Sequence, residues 1–145
     1  MTGTEFLEAF ESCLLPEVQW THEAHVRMAW LYLQKMPLSE AIPVVRQGIK
    51  RYNASLKKTL AYHETITQVF LILISHRMQR SGDRVSFVDF CNQNPDLLDR
   101  NLSPLLIYYR KETLFSQAAR DGFVKPDLEI LPNTPCSDSA SNPGA

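Results

Sequence analysis

Histidine is the residue type with the clearest chemical potential in this sequence, and three of its four copies stand at the starts of strongly apolar helical segments. His22 and His25 lie three residues apart in WTHEAHVRMAWLYL, and His63 follows in YHETI. Residues three apart on a helix share one face, so the first two imidazoles can point at one centre. With His63 as a third nitrogen ligand, the spacing predicts a site for a divalent metal, zinc or iron, with one open coordination position.

Glu64 directly follows the third histidine and is the predicted catalytic residue of this site. We expect its carboxylate to be either a fourth ligand or a base that orients bound water. Such a centre would support hydrolysis or non-haem oxidation of a small molecule. Nitrogen and carboxylate donors serve both zinc and iron, so the sequence does not choose between the two metals, nor does it establish that the protein is an enzyme.

The same residues also fit an interpretation in which they do no chemistry. Trp20 precedes the expected N-cap Thr21 and His25 is the fourth helical residue, so the two rings can stack as a hydrophobic staple. His22 can hydrogen-bond a carboxylate, and His63 can begin an ordinary capped helix. The alternative function is therefore a metal-free helical protein-interaction module that binds a partner through its C-terminal arm or an exposed apolar face.

Helical periodicity and capping residues predict the elements that position these side chains. A first helix, capped by Thr4, is expected to end near Pro16. The second begins at His22, after the N-cap Thr21, and ends before Pro37, because proline disfavours helical geometry in the residue ahead of it. Both histidines of this helix are then expected to face the protein interior.

The next segments continue the helical pattern. A third helix is expected to begin at Ser39, followed by a polar loop, NASLKKTLA, and a fourth helix over residues 62–80. This fourth helix is apolar nearly all round between Val69 and Ile74, which predicts that it lies at the centre of the domain. A shorter helix ending near Pro95, a helix start at Ser103 and a last helical piece over residues 113–120 complete the series.

The chain is therefore predicted to be an all-α protein, with a single-domain bundle of about five to six helices over residues 1–131. Within that range, Leu128, Ile130 and Leu131 belong to an extended C-terminal arm that begins at Pro126. Residues 132–145 are small, polar and rich in proline, and we expect them to form a disordered tail.

Composition narrows the classes of partner and compartment. The chain carries 15 basic and 16 acidic residues without a basic cluster, which argues against nucleic acid as a partner. Three widely spaced cysteines fit a reducing compartment, so the cytoplasm is expected. The segment MTGTEFLEAF lacks the basic start and continuous apolar stretch of a signal peptide, so none is expected, and the longest apolar run, VFLILI, is too short to span a membrane. A small-molecule substrate and a protein partner both remain compatible with these features.

Three segments also carry a family resemblance. They are W-T-H-E-A-H-V-x-x-A-W-x-Y-L, Y-H-E-T-I-T and, late in the chain, LFSQAARDGFVKPDL. Together they resemble a family of small bacterial helical proteins, and the resemblance covers most of the chain before the tail. It implies shared ancestry and a helical fold but no particular activity, so the functional predictions rest on the residues themselves.

Overall fold

The computed structural model describes residues 1–82 and 85–132. Within these ranges the chain is all-helical, as predicted, and forms seven α-helices without β-strands. Their bounds are α1 Gly3–Glu11, α2 His22–Lys35, α3 Leu38–Ser55, α4 Glu64–Ser81, α5 Phe87–Gln93, α6 Lys111–Leu114 and α7 Gln117–Asp121. Two short 3-10 helices, Glu17–Gln19 and Pro95–Leu98, precede α2 and follow α5.

Side-chain caps explain where most of these helices begin. Thr2, Thr21, Ser86 and Ser116 each accept a hydrogen bond from an amide of the first turn, which satisfies a donor that the helix itself leaves unpaired. The first cap is Thr2 instead of the predicted Thr4. Thr2 also forms a reciprocal capping box with Glu5, and this pairing moves the start toward the N-terminus.

The fourth helix is central, as predicted. It packs against α2, α3 and α7, and its residues Val69, Leu71, Leu73 and Ile74 are buried. A helix buried on several sides needs apolar residues around most of its circumference, which accounts for its nearly uninterrupted apolar sequence. None of the helices in the described ranges has both the length and the apolar character required to cross a membrane.

Two predictions about the C-terminal third are corrected by the structure. Ser103 does not start a helix, since residues 103–108 form successive turns around the buried Leu105. The C-terminal arm was expected to wrap onto the domain through Leu128, Ile130 and Leu131. Leu131 packs against the core and Leu128 donates its backbone N–H to the Tyr108 carbonyl oxygen, 2.9 Å away, but Ile130 is 88% exposed and takes no part in this packing. Apart from Pro132, the predicted tail lies outside the described residues.

Candidate functional site

His22 opens α2 and connects it to the 3-10 helix after α5. Its Nε2 lies 2.9 Å from the carbonyl oxygen of Leu97, and because a carbonyl only accepts, Nε2 is the protonated donor. In the neutral ring, Nδ1 therefore keeps its lone pair. The ring also meets Phe70 of α4 edge-on, with 5.4 Å between the ring centroids. A backbone carbonyl thus takes the place of the carboxylate partner considered from the sequence.

His25 lies one turn further along α2 and stacks on Trp20, with ring centroids 3.8 Å apart. This contact confirms the predicted staple. The Nδ1 of His25 donates to the Thr21 carbonyl oxygen at 2.7 Å, which leaves Nε2 as the acceptor nitrogen of the neutral ring. Burial is the main reason that the pKa of His25 falls to about 4, so the ring is neutral at pH 7.

His63 is the N-cap of α4, and both of its ring nitrogens are hydrogen-bonded to the backbone. Nδ1 accepts from the amide of Ile66 at 3.1 Å, and Nε2 donates to the carbonyl oxygen of Leu114 at 2.8 Å. Burial lowers the pKa of this imidazole, which is consistent with a neutral ring. The interpretation of His63 as the start of an ordinary capped helix is therefore confirmed.

The structure brings His22 and His25 together on one face but leaves His63 elsewhere. Within residues 1–82 and 85–132, no group of three or more histidine, cysteine, aspartate or glutamate side chains is arranged to hold a metal ion. His63 does not fit the role of a ligand, because neither of its ring nitrogens has a free lone pair in this fold. The three-histidine metal site is thus not assembled here, and metal binding stays a prediction from the sequence.

Glu64, the predicted catalytic residue, is buried and forms an ion pair with the half-buried Arg46. Two nitrogens on one edge of the Arg46 guanidinium donate to the Glu64 carboxylate, Nε at 2.9 Å and Nη2 at 2.8 Å. Tyr62 and Gln68 donate to the same two oxygens. Burial raises the pKa of Glu64, but the hydrogen bonds from Arg46, Gln68 and Tyr62 outweigh it and lower the pKa to about 2. A carboxylate so weakly basic does not fit the role of a general base.

This arrangement predicts a specific acid sensitivity of the fold. The pKa of Glu64 is about 2 in the folded chain against 4.5 ordinarily, so its contribution to stability is complete above the ordinary pKa and is lost as the pH falls toward the folded one. As the pH falls from 4.5 to about 2, we expect the stability advantage of wild type over Glu64→Gln to shrink by about 2 kcal/mol in free energy of unfolding. Urea titrations at stepped pH measure it, and a difference independent of pH would contradict it.

A pocket of about 360 Å³ lies where α2, α3 and α4 meet, beside the two histidines. Most of its walls are apolar side chains of these helices. The lining residues are Trp20, Thr21, His22, His25, Val26, Met28, Ala29, Val45, Ile49, Ile66, Thr67, Phe70, Leu71, Ile74, Arg100 and Leu102. Thr21 and Arg100 are exposed, whereas seven of the sixteen lining residues, among them Val45, Leu71 and Ile74, are buried, so the cavity reaches from the surface into the core.

Two residues of the pocket wall come from the loop that follows the second 3-10 helix. Arg100 brings a cationic side chain, and Leu102 adds an apolar one. Leu102 has φ 62°, a left-handed backbone conformation that costs a non-glycine residue roughly 1–2 kcal/mol. Leu102 packs against the hydrophobic core, and its backbone N–H donates to the Asp99 carbonyl oxygen at 3.0 Å. Strained residues held in this way are often found at binding sites.

Part of this site can be predicted from the sequence and part cannot. The shared inward face of His22 and His25 was predicted from their spacing, and the pocket lies on that face. Arg100 and Leu102 were missed, because no local pattern shows that their loop closes over α2. The pairing of Arg46 with Glu64 was not predicted. A signal for it exists, because glutamate is almost never buried without a cationic partner, and Glu64 begins a helix that the sequence predicts to be buried.

No protein-family model, no curated protein and no solved structure matches this chain significantly.

Proposed function

We propose that this protein binds a small, mainly apolar molecule in the pocket between α2, α3 and α4. The observation that carries the proposal is the combination of apolar walls with two imidazoles whose hydrogen bonds to backbone carbonyls define their tautomers. Ligand sites in proteins are typically of this kind, a largely apolar cavity with a few fixed polar groups. The polar residues here are Thr21, His22, His25, Thr67 and Arg100.

The dimensions of the pocket suit a compact ligand. A volume of about 360 Å³ lies near the lower end of the range of ligand pockets, roughly 300–1,000 Å³, and suits a two-ring aromatic or a branched aliphatic molecule. Burial of apolar ligand surface contributes about 25 cal/mol per Å². The walls presented by Val26, Ile49 and Ile66 supply the matching apolar surface.

The proposal differs from both interpretations of the sequence. The metal-dependent reaction depended on His63 as a ligand and Glu64 as a base, and the bonds of these two residues support structural roles instead. The interaction-module alternative uses the histidines structurally, in keeping with their backbone bonds. It gives no role to the pocket, however, and the pocket is the feature that favours small-molecule binding.

Filling the pocket tests the proposal directly. Ala29 lines the cavity from α2, so Ala29→Leu places additional carbon atoms in the space a ligand would occupy. We expect wild type to bind one equivalent of naphthalene, measured by equilibrium dialysis, and Ala29→Leu to bind it about tenfold or more weakly. Ala54→Leu is the matched control, because Ala54 is an exposed residue of α3 outside the pocket, and its affinity should equal that of wild type.

Circular dichroism and thermal unfolding establish that both leucine variants are folded before binding is compared. If Ala29→Leu is folded and still binds naphthalene as tightly as wild type, the ligand lies elsewhere and the proposed site is wrong. Failure of wild type to bind naphthalene and other two-ring or branched aliphatic probes would contradict small-molecule binding itself.

A further inference from the structure

The polar atoms of the pocket differ in what they can bind. A neutral imidazole with one nitrogen donating to a carbonyl presents its other nitrogen as an acceptor. Burial keeps the His25 ring neutral, the bond from Nδ1 to the Thr21 carbonyl oxygen at 2.7 Å fixes Nδ1 as the donor, and the stack on Trp20 orients the ring. In His22 the nitrogens are exchanged, since Nε2 donates to the Leu97 carbonyl oxygen at 2.9 Å and Nδ1 is the nitrogen without a partner in the described part of the chain.

The remaining ring nitrogens, Nε2 of His25 and Nδ1 of His22, have no hydrogen-bond partner among the described residues. Both rings are half-buried, so water reaches these acceptors only in part, and a ligand that supplies a donor satisfies them. The third polar wall residue, Thr67, uses its hydroxyl hydrogen to bond the His63 carbonyl oxygen at 2.8 Å, so its oxygen is also left as an acceptor.

We propose that the pocket selects an apolar molecule bearing a hydroxyl group, an alcohol or a phenol, whose O–H donates to Nε2 of His25. This inference rests on the proposed function and names its ligand class. Two imidazoles and a hydroxyl oxygen all present lone pairs, so a ligand group with a hydrogen to donate is favoured over a group that only accepts. A carboxylate is disfavoured beside these lone pairs, although Arg100 at the surface end attracts it.

A series of four naphthalenes of similar size separates these possibilities. 2-Naphthol donates a hydrogen bond, 2-methoxynaphthalene only accepts, naphthalene does neither, and 2-naphthoate is anionic. We expect wild type to bind 2-naphthol about five- to tenfold more tightly than 2-methoxynaphthalene, as measured by equilibrium dialysis at pH 7. His25→Phe should bind the two compounds equally, because the acceptor is gone while the aromatic ring remains.

His76→Phe is the matched control, because His76 lies on α4 outside the pocket lining and the substitution is identical. It should keep the full preference for 2-naphthol. The ligand series on wild type is informative even if His25→Phe does not fold.

Each result separates the ligand class from the site. Equal binding of all four compounds by wild type, or tightest binding of 2-naphthoate, would overturn the selection of a hydroxyl group while leaving the pocket as the binding site. If wild type binds none of the four compounds, both the binding pocket and its selection of a hydroxyl group are wrong.

Discussion

Arg46→Met is expected to lower the free energy of unfolding by about 2–3 kcal/mol, because it leaves the carboxylate of Glu64 buried without its cation. The Glu64 side chain is only 8% exposed, so water does not replace the lost partner. Removing one member of a buried pair typically costs more, about 3–5 kcal/mol. The smaller value applies here because Arg46 is 34% exposed and Tyr62 and Gln68 still donate to the carboxylate. Urea denaturation measures the change.

Two variants make this prediction specific. Adding Glu64→Gln to Arg46→Met removes the unpaired charge, so the double variant should lose less stability than the sum of the two single variants. Arg77→Met is the matched control, because Arg77 also pairs in a bidentate manner, but with a carboxylate, Asp96, that is 42% exposed. Its loss should be smaller, about 1 kcal/mol, and part of that comes from the bond that Arg77 also donates to Oδ1 of the buried Asn94. Equal losses for Arg46→Met and Arg77→Met would show that burial of Glu64 is not the cause.

His63→Ala is expected to destabilise the fold by a similar amount, about 2–3 kcal/mol. The substitution removes the N-cap acceptor of α4 and leaves the carbonyl oxygen of Leu114 without its donor. His63→Asn keeps a side chain that caps helices well, so it should recover about 1 kcal/mol of this loss. Chemical denaturation of the two variants separates the cap from the bond to Leu114.

Naphthalene binding by His63→Asn tests whether His63 is only structural or also part of the ligand site. Because His63 lies outside the pocket lining, folded His63→Asn should bind naphthalene with an affinity within about twofold of wild type. If this variant is stable but does not bind, His63 belongs to the functional site after all. If His63→Asn is as unstable as His63→Ala, the capping role assigned to the ring is wrong.

The sequence predicts the long helices well because their signals are local. Thr21 ahead of His22 and Pro37 after Met36 mark the ends of α2 without reference to any other segment, and α2 spans His22–Lys35. The stack of Trp20 on His25 is equally local, since it joins the residue before the cap to the fourth helical residue. Features of this kind can be derived from spacing and residue type alone.

The site is harder to predict because its decisive contacts join distant segments. The partner of His63, the carbonyl of Leu114, is 51 residues away, and Arg46 is 18 residues from Glu64. A histidine that caps a helix and one that binds a metal have the same local sequence, and only the remote contact distinguishes them. The pocket wall at Leu102 adds a left-handed backbone conformation that leucine gives no reason to expect.

The central claim, that the pocket between α2, α3 and α4 binds a small apolar molecule, is tested most directly by methyl NMR during a titration with naphthalene. The account predicts saturable shifts concentrated on pocket methyls, those of Val26, Val45, Ile49, Ile66 and Ile74, with little change at Leu105 and Leu114, which are buried outside the lining. Shifts that do not saturate, or that are centred on methyls outside the pocket, would contradict it.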